Sequence, residues 1–333
     1  MRDWLDEFFN TKRACYVVAE VGANHMGDPG VAINIMEAAV EAGASAVKFQ
    51  MRDVDSLYTR DFASSPYVGD LSFGSTYGEH RKTLEIDLRP VREECSVPFI
   101  VTPSDEVSLE KAEGLSPDAY KIASGDLTNI PVISRVEEKG RPVFLSTGGG
   151  SFEDVTRAYQ VIRDTRCAIY HCVSSYPAQP RDMNLQVIGK FFNVFPVPIG
   201  LSDHSNGILM PVLAYMLKAR VIEKHFTLDR TWKGRDQSFS LEPQGMRKLV
   251  RDLDRADLSM GDGYKRRMDS EDLHKMEKSL VFARDLPKGH PLQEGDFVAK
   301  CPGGGLPPYT SVSGKTLKEP VRQDQLVDFN ILD

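Results

Sequence analysis

Three features are scarce in this 333-residue chain, and each scarcity excludes a class of protein. Its five cysteines are scattered and include no CxxC pair, which argues against a disulfide framework. No window approaches about 18 uninterrupted apolar residues, so no membrane-spanning helix is predicted. Basic residues are outnumbered, 41 Lys and Arg against 48 Asp and Glu, which is unlike a dedicated nucleic-acid binder. We therefore expect neither a nucleic-acid nor a membrane partner.

The remaining composition is that of a globular protein. Hydrophobic residues make up 41% of the chain and charged residues 27%, which is enough apolar mass for a large core. The first ten residues, MRDWLDEFFN, are acidic and lack the basic-then-apolar pattern of a leader, so no signal peptide is predicted. Together with the few cysteines, this pattern predicts a reduced, cytoplasmic protein.

Short apolar segments alternate with helical patterns along the first 260 residues. After the first segment, Asp28 and Pro29 provide a helix start and Gly43 a helix stop. Most gaps are long enough for a right-handed βαβ unit, which favours a TIM barrel over the alternative of an open doubly wound sheet. The eight predicted strands are 15–22, 46–50, 99–103, 119–124, 142–147, 167–172, 198–202 and 221–227.

Two stretches depart from this alternation. Residues 51–95 are a long insertion rich in Gly, Ser and Tyr, and long insertions after barrel strands are usually functional. Residues 261–278 are polar and are predicted as a linker. The remaining residues 279–333 have short apolar pieces separated by Pro and Gly, which predicts a small β-rich domain after the 1–260 barrel.

Polar residues recur at the carboxyl ends of the predicted strands, where TIM barrels carry their chemistry. A charged side chain within an apolar strand costs several kcal/mol unless it is paired or used. Two lysines and several hydroxyls at one end predict a site for a small anion, phosphate or carboxylate, with structural ion pairs as the alternative. These residues are Glu20, Lys48, Gln50, Thr102, Lys121, Ser124, Ser146, His171, Ser174, Tyr176, Ser202, Asp203, His204, Glu223 and His225.

Two histidines end consecutive predicted strands. His204 and His225 are candidate ligands for one Mn, Fe or Zn ion beside Glu20, with hydrogen-bonded core histidines as the alternative. Asp236 follows the last predicted strand and is expected at the same mouth, whereas Cys172 is interpreted as a buried thiol. The other histidines His80, His274 and His290 are expected in loops or the linker.

Several of these residues lie in segments that resemble one enzyme family. AEVGANHMGD, AVKFQ, YKIASGD, SSYPAQP, IGLSDHS and EKHFTLD resemble the sialic acid synthases, which condense phosphoenolpyruvate with an N-acylated hexosamine. SLVFARDLPKGHPLQEGDFVAKCPGGG resembles the C-terminal antifreeze-like (SAF) domain of that family. The likeness covers nearly the whole chain, and the combination of both halves is highly specific.

The resemblance implies a TIM barrel followed by an SAF domain, a divalent metal (Mn²⁺, with Mg²⁺ or Co²⁺ as alternatives) and a domain-swapped homodimer. In that dimer the small domain of one chain covers the barrel mouth of the other. Matched by motif, His204 and His225 are the metal ligands, and Glu20, Asp126 and His204 are the catalytic residues. The implied contacts to phosphoenolpyruvate and the amino sugar are Lys48, Gln50, Thr102, Lys121, Ser124, Ser146, Ser174, Tyr176, Ser202 and Asp236.

The resemblance leaves the acceptor sugar open. FGSTYGEHRKTLE and TLDRTWKGRDQSFSLEP look like the animal-type branch, which uses a 6-phosphorylated sugar. Cys301 replaces an arginine that reaches the sugar in many bacterial members. The alternatives are a Kdn, legionaminate, pseudaminate or spore-coat type of nonulosonate synthase, another phosphoenolpyruvate-dependent keto-acid synthase, and a non-catalytic sugar-binding homologue. The residues that would hold a sugar phosphate, or be solvated loop charges instead, are His80, Arg81, Lys82, Lys233 and Arg235.

Overall fold

The computed structural model describes Phe8, residues 15–268 and residues 270–333. Of residues 1–10, for which no leader is predicted, only Phe8 is described, so this prediction lies outside the described residues. The chain forms two compact units, one that ends at Gly261 and one that spans Asp262–Asp333. None of the helices in the described ranges is long and apolar enough to cross a membrane.

The first unit is a closed barrel of eight parallel strands. Each strand pairs with the next along the chain, and β1 also pairs with β8 to close the sheet. This arrangement confirms the predicted TIM barrel, and every predicted strand overlaps an observed one. The strands are β1 Tyr16–Glu20, β2 Ala46–Met51, β3 Phe99–Pro103, β4 Ala119–Ile122, β5 Val143–Ser146, β6 Cys167–Cys172, β7 Ile199–Asp203 and β8 Ala219–His225.

Helices connect the strands on the outside of the barrel. In the first of them, the Asp28 side chain accepts hydrogen bonds from the backbone of Gly30 and Val31, and Pro29 occupies the first turn. The insertion between β2 and β3 contains several short helices. The helices of this unit are Pro29–Glu41, Val54–Leu57, Arg60–Ala63, Tyr77–Thr83, Arg89–Glu94, Glu106–Glu113, Ile130–Glu137, Phe152–Ile162, Gln186–Val194, Leu209–Met216 and Pro243–Met260.

Two hydrophobic layers hold the barrel together, because successive strand residues point to opposite faces. Outward-facing residues such as Val47, Phe49 and Ile169 pack against the helices in the larger cluster. Inward-facing residues fill the barrel interior and close it below the carboxyl ends of the strands. This inner cluster consists of Phe8, Tyr16, Val18, Ala46, Ile100, Ala119, Phe144, Ala168, Tyr170 and Val221.

The second unit is small and β-rich, as predicted. Strands β9 (Ser279–Phe282) and β10 (Phe297–Lys300) pair antiparallel. The stretch predicted as a linker includes the helix Glu271–Met276, so His274 lies on a helix. The domain bounds 1–260, 261–278 and 279–333 stay predictions. The core of this unit consists of Leu280, Phe282, Leu286, Leu292, Val312, Leu317, Val321, Val327 and Leu332.

Candidate active site

One large cavity opens at the carboxyl ends of the barrel strands. Its volume is about 710 Å³, within the range of about 300–1,000 Å³ typical of small-molecule sites. The structure brings most of the predicted strand-end residues together here, while the role of each residue stays a prediction. The prediction is wrong for His171, which bonds the Met183 carbonyl, and for Asp203, which pairs with Lys224, because neither lines the cavity. The predicted residues that line the cavity are Glu20, Lys48, Gln50, Thr102, Lys121, Ser124, Asp126, Ser146, Ser174, Tyr176, Ser202, His204, His225 and Asp236.

The alternation of strand residues explains why site residues come in pairs two apart. Lys48 and Gln50 of β2 both face the cavity, as do Glu223 and His225 of β8. Lys224, between the last two, pairs with a carboxylate on β7 and does not line the cavity. Strand geometry alone therefore selects which polar residues can act together.

Lys48 lies between two carboxylates. Its Nζ is 2.6 Å from Glu20 Oε2 and 3.6 Å from Glu223 Oε1, and it donates a hydrogen bond to Thr102 Oγ1 at 3.2 Å. Gln50 donates a 2.6 Å hydrogen bond to the other oxygen of Glu20. Burial lowers the pKa of Lys48, but the two carboxylates outweigh burial and raise this pKa above its ordinary value. Lys48 is therefore a fixed positive charge.

Lys121 is held from three sides. Its Nζ is 2.5 Å from Glu223 Oε1 and 3.2 Å from Ser202 Oγ, and it lies 4.7 Å from the centre of the Tyr170 ring. Burial lowers the pKa of Lys121, Glu223 opposes this shift, and Lys48 adds to it. Burial would raise the pKa of Glu223, but the two lysines lower it to about 2, so its carboxylate is ionised.

Hydroxyl groups form another part of the cavity wall. Ser124 Oγ accepts a 3.0 Å hydrogen bond from the backbone nitrogen of Gly148 and donates to Cys172 Sγ at 3.5 Å. Ser146 and Ser174 line the same wall. Together with the two ammonium groups, these hydroxyls offer the mixture of charge and short donors that binds phosphate and carboxylate groups.

The two candidate metal-binding histidines lie side by side, at the carboxyl ends of the neighbouring strands β7 and β8. The ring centres of His204 and His225 are 5.4 Å apart. His204 Nδ1 donates to the Val173 carbonyl at 2.8 Å. Burial lowers the pKa of His204, but Cys172 and this carbonyl outweigh burial and raise this pKa. In the neutral ring, Nε2 carries the lone pair. His225 Nδ1 is buried, 3.9 Å from Asp236 Oδ2, with no hydrogen-bond partner among the described residues. Burial is the main reason that the pKa of His225 falls to about 3, so this imidazole is neutral.

This arrangement suits a divalent metal ion. A neutral imidazole whose other nitrogen donates to a carbonyl is an oriented ligand, and an unpartnered buried ring nitrogen needs a partner. In the described part of the chain, no group of three or more His, Cys, Asp or Glu side chains could hold an ion. The protein would therefore supply the two imidazoles, and substrate or water oxygens would complete the coordination.

Asp126 and Tyr176 lie nearer the opening of the cavity. Burial raises the pKa of Asp126, although Asn129 donates a 3.1 Å hydrogen bond to its carboxylate and lowers this pKa. The Tyr176 ring is centred 4.2 Å from the His204 ring and is 42% exposed. Both side chains line the same cavity as the inner lysines.

The insertion between β2 and β3 forms the outer wall of the cavity. Tyr58, Tyr67, Tyr77 and His80 of this insertion pack their rings on one another at centroid distances of about 5 Å. The prediction that this insertion is functional is consistent with its position. The wall residues are Leu57, Tyr58, Tyr67, Phe73, Tyr77, His80, Arg81 and Leu84.

The candidate phosphate-binding residues divide into two groups. His80, Arg81 and Arg235 line the cavity, whereas Lys82 and Lys233 do not. Lys82 points to solvent and pairs with an aspartate at 2.8 Å, so it is a solvated surface charge. Within the part of the chain that the structure describes, neither Arg81 nor Arg235 forms an ion pair with a carboxylate, and Arg81 donates only to the Tyr77 hydroxyl at 3.2 Å.

The prediction that His80 lies in a loop is wrong. His80 belongs to the helix Tyr77–Thr83 and is only 7% exposed. Its Nδ1 accepts a 3.1 Å hydrogen bond from the backbone nitrogen of Phe73, which fixes the preceding loop. Burial and the neighbouring Arg81 lower the pKa of His80, so a neutral ring supports the wall.

Sequence reasoning assigned no role to two charged residues of the cavity. Glu223 is one of the predicted strand-end residues. Because it stands two residues before His225, it is expected on the same face of β8, but this spacing does not predict its contact with both lysines. Arg52 also lines the cavity and pairs with Glu85 at 3.0 Å. It stands two residues after Gln50 on the continuation of β2, and this spacing was the available signal.

Comparisons with known proteins agree with this geometry. A model described as the NeuB family matches residues 35–265, and a model of the SAF domain matches residues 277–330. The chain is 34% identical to an N-acetylneuraminate-9-phosphate synthase of Homo sapiens, over 96% of this chain and 93% of the relative. It is 31% identical to an N,N'-diacetyllegionaminic acid synthase of Campylobacter jejuni, over 93% of this chain and 98% of the relative.

Solved structures give the same result. An N-acetylneuraminic acid synthetase from Leptospira borgpetersenii, in complex with citrate, is 31% identical with a TM-score of 0.68, over 78% of this chain and 89% of that chain. The spore coat polysaccharide biosynthesis protein spsE of Bacillus subtilis is 29% identical with a TM-score of 0.63, over 97% and 96% of the two chains.

Proposed function

The chain belongs to the NeuB family, and we propose that it condenses phosphoenolpyruvate with an N-acylated amino sugar to form a nonulosonic acid, with release of phosphate. Two buried ammonium groups at the carboxyl ends of β2 and β4 support this proposal. Lys48 and Lys121 would hold the carboxylate and phosphate of phosphoenolpyruvate, assisted by the hydroxyls of Thr102 and Ser202.

The reaction would join carbon 3 of phosphoenolpyruvate to the aldehyde carbon of the open-chain sugar. Positive charge then develops at carbon 2, water adds there, and phosphate leaves by cleavage of its bond to that carbon. A divalent metal held by His204 and His225 would supply Lewis-acid polarisation of the aldehyde. We assign the proton transfers near carbons 2 and 3 to Glu20, whose carboxylate is fixed by Lys48 and Gln50.

For the sugar, we propose a 6-phosphorylated hexosamine. The observation that carries this choice is that Arg81 and Arg235 line the outer cavity without a carboxylate partner among the described residues. A guanidinium group binds phosphate through paired hydrogen bonds. The animal relatives are named N-acetylneuraminate-9-phosphate synthases, which is in keeping with a phosphorylated product.

The test is an acceptor panel with matched variants. Purified protein is incubated with phosphoenolpyruvate, Mn²⁺ and either N-acetylmannosamine or its 6-phosphate, and phosphate release and product mass are followed. We expect turnover with the 6-phosphate. The Arg81→Gln variant should raise KM for this acceptor by about tenfold or more, as loss of a charged hydrogen bond does. Lys82→Gln, at the adjacent solvent-facing position, should behave like the wild-type protein.

Other outcomes would select the alternatives. Turnover with free sugars only would indicate a legionaminate, pseudaminate or related synthase. Arg81 and Arg235 would then have no role in acceptor binding. No phosphate release with any acceptor would favour another keto-acid synthase or a sugar-binding homologue. The domain-swapped homodimer also stays a proposal, and sedimentation of the full chain would test it.

A further inference from the structure

Glu223 is the carboxylate that joins the two cavity lysines. Its Oε1 is 2.5 Å from Lys121 Nζ and 3.6 Å from Lys48 Nζ, and it accepts a 3.1 Å hydrogen bond from Ser202. Both lysines, and one of the hydroxyl groups that would bind an anionic substrate, therefore already contact this one oxygen. Any anion that enters the inner cavity must compete with Glu223 for these contacts.

The inner cavity carries no net charge from these side chains. Lys48 and Lys121 contribute two positive charges, and Glu20 and Glu223 contribute two negative charges. All four side chains are at most 4% exposed. Charges that are this deeply buried interact strongly, because little water screens them. A carboxylate at this position therefore offsets much of the attraction that the lysines would exert on phosphate.

Burial of Glu223 also costs folding free energy. Its Oε2 is buried with no hydrogen-bond partner among the described residues. A carboxylate placed only for stability would use both oxygens, because an unsatisfied buried acceptor costs free energy. The pair of Asp203 and Lys224 shows that arrangement: Asp203 uses Oδ2 for Lys224 at 2.6 Å and Oδ1 for the backbone of Ser205 at 2.9 Å.

We propose that Glu223 is an internal counter-ion that competes with phosphate for Lys121 and Lys48 and so promotes release of the phosphate product. This inference rests on the proposed function for the identity of the product, but its central claim concerns anion affinity alone. When the phosphate leaves, Glu223 replaces it as the partner of Lys121. The alternative is that Glu223 only positions the lysines.

The two roles make opposite predictions for the Glu223→Gln variant, which keeps the shape and an acceptor oxygen but removes the charge. A competitor that is removed leaves phosphate bound more tightly, by about tenfold. A positioning residue that is removed leaves phosphate bound more weakly. The measurement is the dissociation constant of inorganic phosphate by calorimetry on the full chain, without sugar or phosphoenolpyruvate.

Asp203→Asn is the matched control. It removes a buried carboxylate from a neighbouring lysine on β8, but neither Asp203 nor Lys224 lines the cavity. Its phosphate affinity should equal that of the wild-type protein, whatever its stability. If Glu223→Gln does not fold, Glu223→Asp retracts the carboxylate from Lys121 and should tighten phosphate binding to a smaller extent.

In turnover, the competitor role predicts that kcat and KM for phosphoenolpyruvate both fall in Glu223→Gln, with stronger inhibition by phosphate. Unchanged or weaker phosphate binding in the folded variants would overturn the proposal, and so would absence of phosphate binding in all forms. If the wild-type protein binds phosphate but shows no turnover with any acceptor, the proposed function fails, while tighter binding by the variant still supports the counter-ion.

Discussion

His204 and His225 use their ring nitrogens in different ways. His204 is oriented by the hydrogen bond from Nδ1 to the Val173 carbonyl, whereas His225 is fixed by packing and keeps Nδ1 unpartnered among the described residues. An oriented imidazole and a neutral, enclosed one can form a two-ligand site with little rearrangement. Both rings should therefore be needed for metal affinity.

We expect His225→Ala to lose bound metal and metal-dependent turnover while the barrel stays folded. The substitution removes one of two protein ligands, which leaves His204 too weak a site alone. Mn²⁺ binding by calorimetry and circular dichroism provide the measurements. His171→Ala is the control, because His171 is also a buried barrel histidine but bonds the Met183 carbonyl away from the cavity. Metal binding at wild-type strength in His225→Ala would refute the metal assignment.

A substitution at Gly148 would test whether the hydroxyl groups of Ser124 and Ser174 bind substrate. A Cβ at this position would lie 2.7 Å from Ser124 Oγ and would also collide with Ser174 Oγ. Both atoms are ends of short side chains, so Gly148→Ala should turn the hydroxyls away rather than unfold the barrel. We expect KM for phosphoenolpyruvate to rise by about tenfold, the effect of losing one or two hydrogen bonds. A normal KM would exclude these hydroxyls from the substrate site.

The contacts of single residues could be predicted from the sequence only in part. The strand pattern predicted that Glu223 faces the cavity, but not that it contacts two lysines from other strands, because such contacts depend on the barrel closing at particular registers. Arg81 and Lys82 were predicted together, yet one lines the cavity and the other pairs with Asp55 at the surface. Neighbours on a helix point in directions about 100° apart, and the local sequence does not reveal which direction faces the cavity.

Among the elements, β7 contains a glycine with no room for a side chain. An added Cβ at Gly200 would lie 2.6 Å from the Val221 carbonyl oxygen and 2.8 Å from Tyr170 Cδ1. The register between β7 and β8 shifts at the same position, between Ile199 and Gly200. A methyl group there would collide with backbone that cannot rotate away.

We therefore expect Gly200→Ala to destabilise the barrel by about 1–3 kcal/mol, the usual cost of overpacking. Thermal or urea unfolding would measure this loss. Gly189→Ala is the control, because no atom lies within 4 Å of a Cβ added to that helix. If Gly200→Ala and Gly189→Ala have the same free energy of unfolding, the strands β7 and β8 can move apart without cost and the expectation is wrong.

The barrel strands were predictable because each is a short buried run with clear breaks, and alternate residues revealed the polar end. The insertion was predicted only as functional, and its short helices were not identified. Helices such as Val54–Leu57 and Arg60–Ala63 are a single turn long. Such elements carry too few residues for periodicity and owe their existence to tertiary packing.

In the whole molecule, the two units differ in what stabilises them. The small unit has a core of few residues and a buried carboxylate, Asp296, which bonds Arg284 at 2.8 Å, His290 at 2.9 Å and the backbone of Gln293 at 2.9 Å. Burial would raise the pKa of Asp296, but these donors lower it to about 2. The folded state therefore favours the ionised carboxylate.

This shift predicts acid sensitivity of the small unit. Since the folded pKa lies below the unfolded value, the stabilisation is complete above about pH 4 and is lost as pH falls towards about 2. Asp296→Asn should speed amide exchange of β9 and β10 by about tenfold at neutral pH and flatten the pH dependence in that window. Asp324→Asn, which breaks an exposed pair with Lys300, is the control. Identical exchange in both variants would contradict the assigned role.

The outer cavity wall comes mostly from one uninterrupted stretch of sequence, whereas the lysines, carboxylates and histidines come from strands spread over the barrel. Under the proposed function, one part of the acceptor contacts comes from this stretch, the other part comes from later loops that carry Tyr176 and Arg235, and the reacting groups come from the strands. Exchange of the segment from Val54 to Leu84 between relatives is therefore expected to change acceptor affinity and leave the reacting groups unchanged. The same segment is the natural target for libraries of variants that are intended to accept new sugars.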